Sequence, residues 1–537
     1  MRFWDKSLLI FKYFCDHGKQ SVRRIAQQTG LSKSSVHRLG QAMERRSSQA
    51  ESGWWETEAG RRWLTRLVVA TLYTFGLKRG VGLETMSEFF ARLRLERHMG
   101  CSASALRGVM HALETAILET AGTWEQDGVA SGAVREIIGA VDETFLERMM
   151  LVFQDVPTGY LLFEDVADDR TYTTWKALVD KRLAALGTGV LYLVSDRAKA
   201  LIQLAETGLG CRSMPDFFHL MHDLVKSYSL ALARELRQAQ KTLKTAEEAC
   251  ASHPTLAQAD HDNPEAGATL EARRAEVQRW EEVRSAYRHH LETLSLSLHP
   301  FDIVDSTAQT SAQVQSRLQA EVQAIETLAE RHQFPARQGA RKKVRKQLPA
   351  LAALVDFWWE GVRVDLQQAV ISPMWRRWAR EALLPLVYWE HQVARTRCAR
   401  RKAKMRQALE AAQVAFGHHA ITQRLPPEAL KEWQEWAAQR VSAFQRASSA
   451  VEGRNGYLAQ LHHNQRGLPK HRYKVWTVVH NFDCRAADGT TPACRFFRRT
   501  FPDLFETVFS HIEALPQPRR RKHQGALSHC SHATVPL

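Results

Sequence analysis

The stretch Arg135–Val166, "REIIGAVDETFLERMMLVFQDVPTGYLLFEDV", decides the fold. It holds three apolar, β-branched runs, "REIIGAVDETF", "RMMLVFQDV" and "GYLLFEDV", each of a length that suits one strand. Downstream, "TYTTWKALVDKRLAALG" has a helical pattern, Gly189–Asp196 ("GVLYLVSD") is another apolar strand, and "RAKALIQLAETG" is helical again. Three strands, a helix, a strand and a helix make an α/β core. Asp142 closes the run "IIGAVD" and Asp196 closes "VLYLVSD". Ligands bind at strand ends in such sheets, and adjacent strands can bring two such side chains together. Buried carboxylates cost desolvation energy unless something positive offsets them, and Mg²⁺ is a natural partner. A strand-end aspartate also caps the helix that follows, and this reading stays open for Asp196 ahead of "RAKALIQLAE".

At 537 residues the chain has room for three or four structural units. Its 74 Lys and Arg against 58 Asp and Glu give a net charge of +16. A surplus of that size favours a polyanionic partner, because binding phosphates releases condensed counterions. The eight cysteines, at 15, 101, 211, 250, 398, 484, 494 and 530, form no CxxC pair. That is neither a disulfide framework nor a zinc-finger spacing, and it fits a reducing compartment. The N-terminus lacks a long apolar run with a cleavage site, and no stretch of about 18 apolar residues occurs. A soluble cytoplasmic protein with no membrane partner is expected. The absence of a GxxxxGK[ST] loop argues against a nucleoside-triphosphate motor.

Ser21–Arg46, "SVRRIAQQTGLSKSSVHRLGQAMERR", has the spacing of a helix-turn-helix. Ile25 and Ala26 pack the first helix, Gly30 makes the turn, Leu31 fills the gap, and Val36 and Leu39 face inward. Lys33, Ser34, Ser35, His37 and Arg38 are left on the side that enters a major groove. Leu83–Leu113 reads as a second copy, with a glycine turn at Gly100, a cap at Ser102 and an amphipathic helix. From 226 to about 447 the chain is charged and helical without strand signals, and a Pro/Gly-containing break covers Ser252–Gly267. Two basic clusters, Ala336–Lys346 and Arg395–Arg406, read either as DNA contacts or as solvated faces. The tryptophans of "FWWEGVRVD" and "MWRRWAREALLPLVYWE" are expected to pack helices together. Ser449–Glu452 matches an S-x-x-E capping box, so Glu452 is either a cap or a member of a carboxylate site.

The order "AVDETF … LVSDRAKALI … PDFFHLMHDL … SSAVEGRNGYL" resembles the DDE transposases of bacterial insertion sequences. The resemblance implies a ribonuclease H-like core, with the first Asp on the first strand, the second after the fourth strand and the Glu on a late helix. Asp142, Asp196 and Glu452 occupy those places, as catalytic residues and as ligands of two Mg²⁺ (or Mn²⁺) ions. Many such transposases carry Cys or Asp, two residues, then His after the second Asp, and Asp216 with His219 looks like that motif; its bland alternative is a buried histidine on a helix. Some place a large helical insertion before the Glu, and the 226–447 segment is similar. Asn455 would share a helix face with Glu452 and orient it or touch DNA, and Arg454 would reach a phosphate. The implied chemistry is two-metal phosphoryl transfer on DNA.

The expected fold class is therefore an α/β ribonuclease H-like core, a mixed sheet flanked by helices, with an N-terminal all-α helix-turn-helix region and a large all-α insertion. The expected domains are 1–60 (helix-turn-helix), 61–128 (a second helical, helix-turn-helix-like domain), 131–228 (first part of the core), 229–446 (insertion), 447–515 (second part, with Glu452) and 516–537 (basic disordered tail). Partners would be the element's terminal repeats and target DNA, with a homodimer or higher oligomer assembled on them. The competing readings are a catalytically inactive, domesticated transposase-derived regulator and a coiled-coil protein. Pro254, Pro264, Pro300 and Pro335 interrupt any sustained heptad rod.

Overall fold

A computed structural model of the chain describes residues 20–46, 54–55, 57–132, 136–252, 264–334, 338–369, 371–464 and 471–518. The chain divides into two compact units, Met1–Ala133 with Tyr457–Leu537, and Val134–Gly456. The expected second part of the core, 447–515, spans this division. The chain from Tyr457 onward belongs with the N-terminal helices and not with the sheet.

In chain order, the first unit opens with α1 (Val22–Thr29), α2 (Lys33–Arg46), α3 (Glu58–Thr71), α4 (Leu83–Arg92) and α5 (Ala103–Ala130). The second holds β1 (Glu136–Leu146), β2 (Arg148–Asp155), β3 (Leu161–Ala167), α6 (Tyr172–Leu186), β4 (Gly189–Ser195), α7 (Lys199–Gln203) and β5 (Arg212–Pro215). Its helical region follows with α8 (Phe217–Ser252), α9 (Pro264–Ser297), α10 (Ser311–Arg331), α11 (Gln338–Gln368) and α12 (Pro373–Trp378). Then come α13 (Leu384–Arg395), α14 (Ala399–His418), α15 (Ala420–Arg424) and α16 (Pro427–Ser442). Helix α17 (Ser449–Asn464) starts in the second unit, and α18 (Arg472–Phe482), α19 (Pro492–Phe496) and α20 (Leu504–Ser510) complete the first.

The sheet has the order β3-β2-β1-β4-β5. β1 to β3 form an antiparallel meander, and β4 and β5 run parallel to β1 and to each other. Gly139 is required in β1, because a Cβ there would lie 2.5 Å from the Phe153 ring. Four strands fall where the apolar runs place them. The fifth, "RSMP", is too short and polar to announce itself.

Register organises the site. Asp142 pairs with Val152, and Val152 with Glu164, so these residues form one cross-strand row with side chains on one face. On the other side, Ala140 pairs with Val194 and Ser195 with Pro215.

In the first unit, Ile25, Ala26, Val36 and Leu39 form a small core with Val22 and Leu31 packed against it. Gly30 takes the left-handed conformation at the turn between α1 and α2, with φ 69°. The second helix-turn-helix is not present. A ten-residue connection containing a 3₁₀ turn at Leu95–Arg97 joins α4 to α5. Ser102 does cap α5, but that helix has 28 residues and buries side chains along its whole length, from Leu106 to Gly128. Its opposite face, with Arg107, His111, Thr115 and Glu119, is exposed, so it is the ten-residue connection that departs from a helix-turn-helix.

Among the described residues the helical region has no strand beyond an isolated bridge between Phe301 and Ala308. Its tryptophans pack as expected: Trp378 and Trp389 are fully buried, and Trp358 and Trp359 donate to the carbonyls of Arg440 and Gln309 at 2.7 and 3.1 Å. Much of the first basic cluster is engaged by acids, since Arg341 and Arg345 both pair with the buried Glu326. In the second, Arg401 donates to Ser295. Most of the expected tail, 519–537, lies outside the described residues.

Candidate active site

Helix α17 builds the site. It begins at Ser449, after the segment Ala443–Ser448 that returns from α16. A new helix does start where the capping box places it, yet the Glu452 carboxylate faces elsewhere. Its Oε1 lies 3.3 Å from Nε2 of His219. Three residues on, Asn455 Nδ2 donates to Asp142 Oδ2 at 2.8 Å. The 3.6-residue period sets both side chains toward the sheet's acidic row.

His219 is positioned from behind. Its Nδ1 donates to Asp216 Oδ2 at 2.8 Å, which fixes the ring with Nε2 toward Glu452. Asp216 is itself buried and accepts from its own helix, at the Phe218 amide (2.8 Å). The Ser448 amide donates to the same carboxylate at 3.2 Å, and the Ser448 hydroxyl also donates to it. The Phe217 amide donates to the Arg446 carbonyl at 2.9 Å, so α8 and the return segment are joined twice. The sequence reading gave Ser448 no role, and a lone serine before a helix carries no signal for one.

The electrostatics follow from burial and charge. The Asp142 carboxyl is pushed up to about 7, first by burial and then by the negative charge of Glu452, with His219 opposing. His219 is held up at about 9, chiefly by its hydrogen bond to Asp216. Burial alone would raise Asp216, but hydrogen bonds from His219 and Ser448 outweigh it and hold it below the usual carboxylate range. The site thus has more negative charge than fixed positive charge beside it.

One ligand atom from each of Asp142, His219 and Glu452 lies within 4.8 Å of the other two. Two carboxylate oxygens and an imidazole nitrogen backed by a carboxylate form a donor set that fits a divalent cation. Asp196 follows β4 and lies outside this group; its Oδ1 accepts from the Ala198 amide at 2.8 Å in a turn ahead of α7, whose own N-cap is Ala198 with no side-chain cap. Arg454, expected at a phosphate, is instead buried. Its guanidinium meets the Glu164 carboxylate at 2.7 and 2.8 Å, with the two side chains 4% and 0% exposed. Its place one residue before Asn455 turns it toward β3. A charged residue inside the apolar run "GYLLFEDV" was the signal for this pair.

The helix-turn-helix leaves Lys33, Ser34, His37 and Arg38 exposed at the start of α2, with Ser35 half-buried. Arg38 donates to Ser35 Oγ at 3.3 Å, and His37 Nε2 lies 3.1 Å from Gln41 Nε2.

Comparison with known proteins bears on two parts of the chain. Residues 5–47 match the IclR helix-turn-helix domain, which supports DNA binding by the N-terminal region. Residues 379–524 match a family of unknown function, DUF6399, and that span includes Glu452 and Asn455 but not Asp142, Asp196, Asp216 or His219. No curated protein and no solved structure matches the chain. Among the described residues no helix is long and apolar enough to cross a membrane.

Proposed function

We propose that the chain is a DDE-type transposase, an enzyme that binds the ends of its mobile element and cuts and joins DNA strands. The observation that carries this reading is the convergence of Asp142 from the first strand and Glu452 from a late helix. They meet on one face of the sheet, beside His219, across a helical region of more than two hundred residues. A strand-strand-strand-helix-strand order with Asp196 just after the fourth strand is what a ribonuclease H-like core calls for. The helix-turn-helix supplies the DNA-binding module.

Asp142 and Glu452 would hold the divalent ions, joined by Asp196, which lies outside their cluster in this structure, and by His219 once an ion displaces its Nε2 proton. When bound, such ions activate an attacking water or 3′-hydroxyl and stabilise the departing oxygen. The protein's own part is positioning. Asn455 fixes one oxygen of Asp142, and the Ser448–Asp216–His219 chain fixes the ring that faces Glu452. Neither group needs to reorganise as charge develops, which is where preorganised sites gain most. Recognition of two element ends implies a dimer or larger assembly on DNA.

The test is cleavage, with Mg²⁺ or Mn²⁺, of DNA carrying the sequences that flank this coding region. Wild type should nick at discrete positions, and Asp142→Asn, Asp196→Asn and Glu452→Gln should not. Cutting by all three variants at the wild-type rate would overturn the assignment. Specific DNA binding without cleavage by any protein would favour the DNA-binding regulator instead.

A further inference from the structure

Among the described residues a second group brings three ligand-bearing side chains together, and the proposed reaction does not use it. His111 and Glu114 lie one turn apart on one face of α5, and His471 directly precedes α18. One ligand atom from each lies within 4.8 Å of the other two. All three residues belong to the first unit. His471 also falls within the basic, histidine-rich stretch "HHNQRGLPKHR" that the active site leaves unexplained.

We propose that His111, Glu114 and His471 form a transition-metal site for Zn²⁺ or a similar borderline cation. Two imidazoles and one carboxylate form the set that leaves a fourth position open on zinc. The set favours such a cation over Mg²⁺ and Ca²⁺, which prefer oxygen ligands. Glu114 is buried and oriented: Arg472 donates to its Oε1 from Nε at 2.7 Å, while Oε2 faces His471 Nε2 at 2.6 Å. The arginine fixes one oxygen and leaves the other aimed at the histidines, the arrangement in which a neighbour orients a metal-binding carboxylate. Atoms about 2.0–2.1 Å from a tetrahedral ion stand about 3.3 Å apart. The 2.6 Å separation must therefore open by under 1 Å. His471 and His111 are both exposed, and their rings already meet edge to face at 6.1 Å between centroids, so a small rotation suffices. The ion would tie the start of α18 to the middle of α5.

Zn²⁺ titration of the full chain by calorimetry, in excess Mg²⁺, tests this. The proteins compared are wild type, His111→Ala/His471→Ala and Asp142→Asn/Glu452→Gln. Wild type should bind Zn²⁺ at this site, and the double-histidine variant should lose one equivalent or bind it at least 100-fold more weakly. The acidic-site variant should keep that equivalent. Both histidines are exposed and Arg472 still pairs with Glu114 in the variant, so the fold should be kept, which circular dichroism checks. Full retention of Zn²⁺ by the double-histidine variant, or no binding by wild type, would overturn the site and leave the cluster as the hydrogen-bonded anchor of Glu114. Neither result bears on DNA cleavage.

Discussion

Helix α17 serves two acids on one cross-strand row, the buried Glu164 and the half-buried Asp142, and it treats them oppositely. At Glu164 it supplies Arg454, and the carboxylate is closed off by a two-point guanidinium pair. At Asp142, two strands over, it supplies a neutral amide from Asn455 and another carboxylate from Glu452. Burial alone therefore does not distinguish a closed acid from the one proposed to be functional. The balance of charge does: where negative charge exceeds what His219 offsets, a mobile cation would complete the proposed site.

The largest effect should come from the acids left open. Asp142→Asn or Glu452→Gln should lower strand cleavage by roughly 10³-fold, about 4 kcal/mol of barrier, with little change in melting temperature. Full activity in Glu452→Gln would erase the distinction between the two acids. At the closed pair the order reverses. Arg454→Met strands a buried carboxylate and should destabilise the sheet unit by about 3–5 kcal/mol, while Arg454→Met/Glu164→Leu should recover most of it. Urea unfolding followed by far-ultraviolet circular dichroism decides, and an Arg454→Met protein as stable as wild type would contradict the account.

A smaller effect is expected where the hold on His219 is indirect. Ser448→Ala removes one of several donors to Asp216 and should slow cleavage by about 10-fold. The change should fall on kcat and leave KM alone, which steady-state kinetics reads directly. Smaller still, Lys33→Ala and Arg38→Ala should each weaken DNA binding by about 1 kcal/mol and lower the salt dependence by about one ion. Fluorescence anisotropy across a salt series would show it.

The same rule holds in the helical region with the sign reversed. Burial drives the His299 ring well below its ordinary range and the His391 ring to about 4. A depressed base is neutral in both states above about pH 6.5, so it costs nothing there. As pH falls from there toward 4, the unfolded chain takes up protons that the fold refuses, and stability is lost. The slope should approach about 1.4 kcal/mol per pH unit for each such histidine. His391→Phe should shallow the acid limb of a stability-against-pH curve, and an unchanged limb would exclude it as a cause.

How legible these features were depended on how far apart their parts lie. The helix-turn-helix was readable because Ile25, Gly30, Leu31, Val36 and Leu39 are packed within fifteen residues. Four strands were readable as apolar runs, and Asp142 and Glu452 through family order. The second helix-turn-helix failed because a glycine and a cap say nothing about the length of the connection between the two helices. Arg454 was misplaced because one residue along a helix changes the face by about 100°. The unit boundary at Tyr457 was invisible, since it rests on partners such as Trp476 with the Leu77 carbonyl and Tyr457 with the Lys78 carbonyl. No local pattern encodes such a pairing.

The central claim is that Asp142 and Glu452 carry more negative charge than His219 offsets because they hold a divalent cation. Electron paramagnetic resonance of Mn²⁺ titrated into the full chain tests it without requiring any DNA substrate. Wild type should bind Mn²⁺ in a form that Mg²⁺ displaces, and Asp142→Asn/Glu452→Gln should lose that signal while Arg454→Met/Glu164→Leu keeps it. Equal Mn²⁺ binding by wild type and by the Asp142→Asn/Glu452→Gln protein would contradict the account.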